Sequence, residues 1–372
     1  MKILFAGDFS VQGRAVRLFQ DTDKAVSTFQ GIKDICGQHE LSIVNFESPV
    51  TNYKKGILKD GPCIRNPKNS IEVLKKIGFG LFTLANNHLK DFGSQGVLET
   101  FNALREHQIT FFGAGRNLTE ARKSFIFEQG GKKIGFLNVC ENESSIATDT
   151  EAGSCPITEI NLFYDIQALR PQVDYVVVIV HGGREHFQLP TPRMKKLYHY
   201  IIDLGADLVV NHHQHCYSGY ETYKGKLIFY GLGNFYFDNP RKRNCPWNKG
   251  LLLSVDFGDS ISFGIIPFTQ CNDRPEIHVE PYETVSEEIK RLNGVIVDDA
   301  KLQQVYEEMV MKEQPLSPMQ PYTSHYVRAL YHRGLLPDVI SRQKKAVILN
   351  SVRCETHREL LIAYLDKLLS EE

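Results

Sequence analysis

The sequence has no surplus of charge of either sign and no long apolar run. Its 372 residues carry 43 basic and 44 acidic side chains, which leaves a formal net charge of −1. Such a chain has no overall field that draws it to nucleic acid or to an anionic membrane surface. No window approaches the length of a membrane span, and the first residues, MKILFAGDFS, enter a predicted strand at once instead of forming a signal peptide. We expect a cytoplasmic protein with no membrane span and no nucleic-acid partner.

Cysteine is sparse and scattered. The 8 cysteines form no Cys-x-x-Cys pair and no dense framework, which predicts reduced thiols. Hydrophobic residues make up 42% and charged residues 23%, a profile typical of a globular chain. The length exceeds that of one average domain, so a large catalytic domain with an appendage is expected.

Predicted strands and helices alternate along most of the chain, as an α/β layered fold requires. After about Glu283 the pattern becomes charged and mostly helical, with a proline-punctuated link at Ser317 to Tyr322. We therefore predict a domain over residues 1–283 and a helical carboxyl-terminal extension over 284–372. The extension would pack on the core or on a second copy of the chain, as a homo-oligomer. The side chains expected at this contact are Leu361, Tyr364, Leu365 and Leu368.

Histidines are concentrated in the stretch GADLVVNHHQHCYSGYE, residues 205–221. The apolar run Leu208–Val210 predicts a buried strand that leads into His212, His213 and His215. In an extended chain, residues two apart point to the same side, so His213 and His215 can face one point. Taken alone, the cluster could be a histidine-rich loop that satisfies backbone carbonyls; with partners, it predicts a metal chelate.

Four other predicted strands end in residues that can bind a hard or borderline cation. These residues are Asp8, Glu47, Asn87 with His88, and His181. Singly, the two acids could be a helix N-cap and a surface carboxylate. Ligands collect at the carboxyl ends of strands in open α/β folds, so all five ends can converge. Mixed oxygen and imidazole ligands suit one or two divalent ions, Mn²⁺, Zn²⁺ or Fe.

Two further segments bear on the substrate. Residues 51–69 predict a long polar loop in which Arg65 could clamp a phosphate or carboxylate, or could simply be solvated. The run HGGREH, residues 181–186, adds Glu185, which either supports the site or lies on the surface.

Six sequence blocks together resemble the CapA family of poly-γ-glutamate capsule biosynthesis proteins, which have a calcineurin-like metallophosphoesterase fold. The blocks are GDFS (7–10), NFESPVT (45–51), ANNHLKDFG (85–93), HGGREH (181–186), GADLVVNHHQH (205–215) and YGLGNFYFD (230–238). The likeness covers roughly residues 1–283, and six blocks in order are more specific than any single motif. It implies a four-layer α/β/β/α metallophosphatase-like sandwich with a metal centre at the strand ends.

The resemblance also implies roles for single residues. Asp8 and Glu47 would be carboxylate ligands, with Glu47 in the place of the metal-bridging aspartate. Asn87, His181, His213 and His215 would complete the ligand set. His88 would stand where these enzymes keep a general acid, and Asp91 could orient its imidazole. Arg65, Asn234 and Glu185 would contact substrate.

The chain departs from the family pattern in two respects. The usual Asp-x-His start of phosphoesterases is here Asp8-Phe9-Ser10, so one metal site lacks a histidine. Many family members carry an amino-terminal membrane anchor that this chain lacks, which speaks against a direct role in polymer export.

Three functions follow as alternatives. The first is a metal-dependent hydrolase, most simply a phosphoesterase, of capsule or cell-surface polymer metabolism, acting on an anionic small molecule or on a peptide or polymer. The second is a metal-dependent peptide or amino-acid epimerase or amide hydrolase. The third is a non-catalytic binding subunit of a polymer-synthesis complex, since a fold does not fix a function.

Overall fold

The structure is a computed structural model that describes residues 1–59, 61–313, 325–336, 344–345, 348–349 and 352. By compactness the chain divides into residues Met1–Gln303 and Gln304–Glu372. The boundary at 283/284 stays a prediction; the helix that follows it, Glu283–Ile296, contacts the strand Tyr220–Tyr223 of the first unit.

The described residues of the first unit form sixteen strands. In chain order they are Lys2–Ser10 (β1), Leu41–Phe46 (β2), Leu81–Thr83 (β3), Thr110–Phe112 (β4), Ala114–Gly115 (β5), Phe125–Gln129 (β6), Lys132–Cys140 (β7), Gly153–Ser154 (β8), Tyr175–His181 (β9), Leu208–His212 (β10), Tyr220–Tyr223 (β11), Lys226–Phe229 (β12), Asn234–Phe237 (β13), Lys249–Phe257 (β14), Ile261–Gln270 (β15) and Ile277–Val279 (β16).

The α-helices of the described residues alternate with these strands and then follow them. They are Ala15–Leu18 (α1), Thr22–Ser27 (α2), Gln30–Cys36 (α3), Ser70–Ile77 (α4), Gly93–Glu106 (α5), Leu118–Ala121 (α6), Glu159–Leu169 (α7), Pro192–Asp203 (α8), Glu283–Ile296 (α9), Asp299–Glu313 (α10) and His325–His332 (α11). Short 3₁₀ turns cover Arg170–Gln172 and Pro246–Asn248.

Two mixed sheets form the centre of the first unit. The eight-stranded sheet has the order β16-β15-β14-β1-β2-β3-β4, with β13 also paired to β1. The six-stranded sheet has the order β11-β12-β10-β9-β7-β6. β1 to β4 run parallel to one another, as do β7, β9, β10 and β12, so each sheet has several strand ends at one edge.

The sheets pack face to face, and helices cover their outer faces. Phe5 of β1 lies 6.5 Å, centroid to centroid, from Phe136 of β7 across the interface. On the other face of β1, Leu4 and Ala6 join a core with residues of α1 to α5. α7 and α8 pack on β7 and β10 of the six-stranded sheet. The expected four-layer α/β/β/α arrangement is therefore confirmed.

The described carboxyl-terminal residues form the helices α9, α10 and α11, with non-helical residues at 297–298 and 333–336. The predicted link at 317–322 and the predicted contact residues Leu361, Tyr364, Leu365 and Leu368 lie outside the described residues. Within the described ranges, none of the helices combines the length and apolar character that a membrane crossing requires.

Candidate metal centre

Three strand ends, two from one sheet and one from the other, meet at one buried point. Asp8 lies in β1, Glu47 directly follows β2, and His181 ends β9. One potential ligand atom of each lies within 4.8 Å of those of the other two, and all three residues are buried. Two carboxylates and an imidazole at this spacing can hold a divalent cation.

A bulge in β1 turns Asp8 toward this point. Leu4 and Ala6 face the helices, so strict alternation would send Asp8 the same way. The pairing register of β1 shifts between Ala6 and Asp8 against β2, and Phe9 takes the place in the helix-side core. Bulges re-aim side chains next to functional sites in this manner. Gly7 allows it, because a Cβ there would lie 1.8 Å from the carbonyl oxygen of Gly233.

Among the described residues, the carboxylate of Glu47 has no hydrogen-bond partner. Both of its oxygens are buried and unpaired among the described residues, and the side chain is 0% exposed. Burial, followed by the neighbouring charges of Asp8 and Glu185, raises the pKa of Glu47 well above its ordinary value. A buried carboxylate without partners is costly unless it coordinates a cation. The donor set therefore fits a metal ion.

Asp8 is held by two donors. Its Oδ1 accepts a hydrogen bond from Nδ2 of Asn45 at 2.7 Å, and its Oδ2 accepts one from the backbone N–H of His213 at 3.1 Å. Burial raises the pKa of Asp8, and the charge of His215 opposes that shift. These bonds fix the carboxylate in one orientation.

The first pair of imidazoles lies side by side. Nε2 of His181 is 3.0 Å from Nδ1 of His213 and 3.1 Å from Oδ1 of Asn87. Burial lowers the pKa of both histidines, that of His213 to about 3. Both rings are therefore neutral near pH 7, the form in which imidazole binds a metal.

The ring of His215 is oriented by Asn234, which contacts its Nδ1. Its Nδ1 lies 2.9 Å from Oδ1 of Asn234, and its Nε2 lies 3.9 Å from Oε1 of Glu47. Burial lowers the pKa of His215 to about 4. Metal-binding histidines are commonly held in this way by a partner on the other ring nitrogen. The structure thus brings Asn234 to the back of His215.

The backbone is strained at the same place. Ser48, His213 and His215 have φ values of 85°, 91° and 55°, a region that residues other than glycine seldom adopt. Each such residue costs about 1–3 kcal/mol, and such residues cluster at functional sites. The strain lets His213 and His215 approach the centre after the strand β10 has ended.

A second group of residues borders the centre. Nδ1 of His88 lies 2.6 Å from Oδ2 of Asp91, and its Nε2 lies 3.9 Å from Oε1 of Glu47. Oδ1 of Asp91 accepts a hydrogen bond from Nζ of Lys59 at 2.6 Å. The predicted pairing of His88 with Asp91 is therefore present in the geometry.

Two predicted substrate residues take different places. The guanidinium of Arg65 donates to the carbonyl of Tyr53 at 2.9 Å and lies 4.9 Å from the ring centre of Phe92. Arg65 lines an open cavity of about 790 Å³, and none of the described carboxylates and imidazoles above is among its lining residues. Glu185 is half-buried, and its charge reaches both Asp8 and Glu47.

Sequence reasoning missed three residues of the site. Asn45 precedes Glu47 by two positions in an extended segment, so the period of the strand could have found it. Glu143, from the loop after β7, has Oε1 3.9 Å from Nε2 of His213, and burial raises its pKa. Neither Glu143 nor Lys59 carries a local sequence signal that marks it.

A sequence profile described as "Bacterial capsule synthesis protein PGA_cap" matches residues 2–239. The PGA biosynthesis protein CapA of Bacillus subtilis is 32% identical over 239 residues, 63% of this chain and 62% of that protein. The capsule biosynthesis protein CapA of Bacillus anthracis is 32% identical over 205 residues, 52% of this chain and 49% of that protein. A probable polyglutamine synthesis accessory protein of Mycobacterium tuberculosis is 27% identical over 208 residues, 52% of this chain and 55% of that protein.

The chain thus spans about half to three-fifths of the length of these curated relatives. Solved structures give more distant matches. A hypothetical protein from Thermus thermophilus is 18% identical with a TM-score of 0.47, over 76% of this chain and 100% of that one. A putative 5′-nucleotidase from Staphylococcus aureus is 13% identical with a TM-score of 0.44, over 78% of this chain and 58% of that one. Neither superposition is close enough to bear on function.

Proposed function

The chain belongs to the family of bacterial capsule synthesis proteins, and we propose that it acts there as a metal-dependent hydrolase, most simply a phosphoesterase. The observation that carries this proposal is Glu47, whose two carboxylate oxygens are buried without any partner among the described residues. A structural carboxylate would be hydrogen-bonded; one that binds a cation is kept free of competing donors.

The proposed cation is Mn²⁺, Zn²⁺ or Fe, as one or two ions. The residues that would hold it are Asp8, Glu47, Asn87, His181, His213 and His215. Bound there, a divalent cation lowers the pKa of water enough to supply a nucleophile near neutral pH. Asn45 and Asn234 orient the ligands, because their amides contact Asp8, His181 and His215.

His88 is the proposed proton donor to the leaving group. Asp91 accepts the hydrogen bond from Nδ1, which leaves Nε2 as the nitrogen that faces the centre. A positioned imidazole of this kind contributes about 10²–10⁴-fold to a hydrolytic rate.

The predicted substrate contacts are revised in part. The contacts of Asn234 support an orienting role behind His215, and those of Arg65 support a role in holding the loop 51–69. Glu185 remains the proposed substrate contact, since its half-buried carboxylate lies near the acidic ligands.

The names of the relatives support a proposal for the biological setting. Relatives are named for biosynthesis of PGA and for polyglutamine synthesis, so we place the proposed substrate in capsule or cell-surface polymer metabolism. A cytoplasmic location and assembly through the carboxyl-terminal helices remain parts of the proposal.

A second candidate, favoured by one observation, is cleavage or epimerisation of a peptide or amide. Glu143 places a carboxylate 3.9 Å from Nε2 of His213, and Glu185 adds a second acid near the centre. Carboxylates at a rim attract an ammonium group and repel a phosphate. An amino-acid or peptide substrate would use that charge, whereas a phosphate ester would depend on the cation to overcome it.

The test combines metal analysis with hydrolysis. Purified protein is stripped with chelator, reloaded with Mn²⁺, Zn²⁺ or Fe²⁺, and assayed for bound metal and for hydrolysis of an aryl phosphate. We expect stoichiometric metal, and activity that His88→Ala lowers by about 10²-fold or more. His278→Ala is the matched control, because that imidazole is 67% exposed and pairs with Glu276 away from the centre.

The alternatives give different results. Deuterium incorporated from solvent into a γ-glutamyl peptide, without phosphatase activity, would replace the phosphoesterase by an epimerase. Absence of bound metal under all loading conditions would rule out both chemistries. A His213→Ala variant with full biological activity would favour the non-catalytic binding subunit.

A further inference from the structure

The side chain of Lys59 is buried although the residue lies in a polar loop. Its side chain is 5% exposed, whereas Lys54 and Lys55 of the same loop are exposed. Nζ lies 2.6 Å from Oδ1 of Asp91, 3.3 Å from Nδ1 of His88 and 3.4 Å from the backbone oxygen of Asn87. Its two oxygen acceptors and the neighbouring ring of His88 all belong to the turn that carries the proposed proton donor.

Asp91 joins the loop to that turn. Its Oδ2 receives the N–H of Ile64 at 2.8 Å as well as Nδ1 of His88, and its backbone oxygen receives the N–H of Ile57 at 2.9 Å. The side chain of Asp91 is 0% exposed, so its charge needs a cation nearby. Among the described residues, Lys59 supplies this cation, because its Nζ pairs with Oδ1 of Asp91.

Burying a lysine costs more free energy than a purely local contact would require. Desolvating an ammonium costs several kcal/mol, and ordering its side chain costs up to about 2 kcal/mol more. A loop of this kind could be anchored by the two backbone N–H groups alone. The position of the charge next to His88 calls for a further reason.

We propose that Lys59 is a positioning residue of the hydrolytic centre, which acts on His88 through Asp91. By pairing with Oδ1 of Asp91 and holding that carboxylate in place, Lys59 fixes the ring of His88 with Nε2 toward Glu47. The loop 51–69 then contributes a positioning side chain to the site and does not only connect two secondary-structure elements. The inference rests on the proposed function, since it concerns the orientation of the same proton donor.

The kinetic test uses the full chain loaded with the metal that supports activity. Lys59→Met is expected to lower kcat by about 10–100-fold, the range for partners that orient functional groups, while KM and metal content stay within about two-fold. Lys59→Arg restores a cation and is expected to recover part of kcat. Lys55→Met, at an exposed lysine of the same loop, is the matched control and keeps wild-type values.

A double-mutant cycle separates positioning from folding. Lys59→Met alone leaves Asp91 buried without its cation, which can destabilise the chain. The pair Lys59→Met with Asp91→Asn removes both charges and is expected to fold. Residues that act as one unit are not additive, so its kcat should be no lower than that of the worse single variant. Additive losses, or a loss confined to KM, would overturn the proposal.

A spectroscopic arm is independent of turnover. In protein with ¹⁵N-labelled histidine at fixed pH, the resonances of His88, assigned by their loss in His88→Gln, report which ring nitrogen holds the proton. We expect Nδ1 to hold its proton toward Asp91 in wild type and in Lys55→Met, and to lose it in part of the molecules in Lys59→Met, whether or not Nε2 is also protonated. An inactive wild type that shows this pattern refutes the hydrolase and retains the positioning. Unchanged resonances in Lys59→Met refute the positioning whatever the activity.

Discussion

The two sheets contribute unlike halves to the candidate metal centre. The eight-stranded sheet carries the candidate oxygen ligands Asp8, Glu47 and the turn after β3, and the six-stranded sheet carries the candidate imidazole ligands His181 and the histidines after β10. Burial acts on the two halves in opposite directions, raising the pKa of the acids and lowering the pKa of the histidines.

The difference shows what each half lacks. In the acidic half, Glu47 accepts no hydrogen bond from any residue that the structure describes, and burial favours its protonated form. In the imidazole half, the rings are neutral, so each has a lone pair that can bind a metal. His181 and His213 contact each other, and His215 contacts Asn234. A cation would relieve the first half and bind to the second. We therefore expect the acidic half to control metal binding and the imidazole half to control acid stability.

The largest effect is expected from Glu47→Gln. Loss of this ligand removes several kcal/mol of electrostatic stabilisation by the cation, which corresponds to about a thousand-fold in rate. In metal-free protein at pH 8, the urea midpoint of the variant should equal or exceed that of wild type, because a buried carboxylate without partners has been neutralised.

His215→Gln is the counterpart on the other half. It too should lose metal and activity, but its metal-free urea midpoint should fall, because loss of the bond to Asn234 lowers the free energy of unfolding by about 1 kcal/mol. If both variants shift the metal-free midpoint in the same direction, the contrast between the halves is wrong.

The next effect concerns Asn45, which contacts both halves. Its amide donates to Oδ1 of Asp8 at 2.7 Å and lies 3.1 Å from Nδ1 of His181. Asn45→Leu should weaken metal affinity by about 10–100-fold, measured by competition with a fluorescent chelator.

Asn248→Leu is the control for a buried asparagine. That side chain donates to the carbonyls of Gln270 and Cys271, so its loss should lower stability and leave metal affinity within about two-fold. Equal losses of affinity in both variants would mean that Asn45 acts through stability alone.

Acid should destabilise the metal-free chain through the imidazole half. Burial lowers the pKa of His212 and His213 to about 3 and that of His215 to about 4, and that of His181 falls well below its ordinary value. The unfolded chain protonates these rings below pH of about 6.5 and the folded chain does not, so stability falls as the pH is lowered from about 6.5 to 4.

The acids oppose this trend. Asp8 and Glu47 hold protons in the folded chain that the unfolded chain releases above about pH 4.5, so they remove stability as the pH rises. Glu143, whose pKa burial also raises, acts in the same direction as these two acids; four histidines outnumber the three acids, and the net urea midpoint should fall on acidification. His212→Asn should reduce the slope of the urea midpoint against pH. If the urea midpoint rises as the pH is lowered from 6.5 to 5, the acids of the acidic half have the larger effect on stability.

The strand ends could be predicted from sequence because each is a short local pattern, an apolar run followed by a polar residue. The direction of Asp8 could not, since it depends on a bulge and on the close approach of Gly7 to the backbone at Gly233. Asn45 was within reach of the same reasoning, because strand period places it with Glu47.

Loop residues were beyond that reasoning. Lys59 meets Asp91 across 32 positions of chain, and Arg65, six residues on, points its guanidinium to Tyr53 and Phe92. Both are basic side chains in one polar loop, so composition cannot separate them. Tertiary contacts alone decide which of them borders the centre.

The smallest effects are expected at the two remaining substrate candidates, Arg65 and Glu185. Arg65→Met removes a guanidinium that is already engaged by Tyr53 and lies over Phe92, so kcat/KM should change by less than about two-fold. Glu185→Gln removes a charge beside Asp8 and Glu47, so KM should change by up to about five-fold, the equivalent of about 1 kcal/mol. The sign of the KM change identifies the substrate, because loss of an acid weakens binding of an ammonium and strengthens binding of a phosphate. A larger effect at Arg65 than at Glu185 would move substrate recognition from the six-stranded half to the loop 51–69.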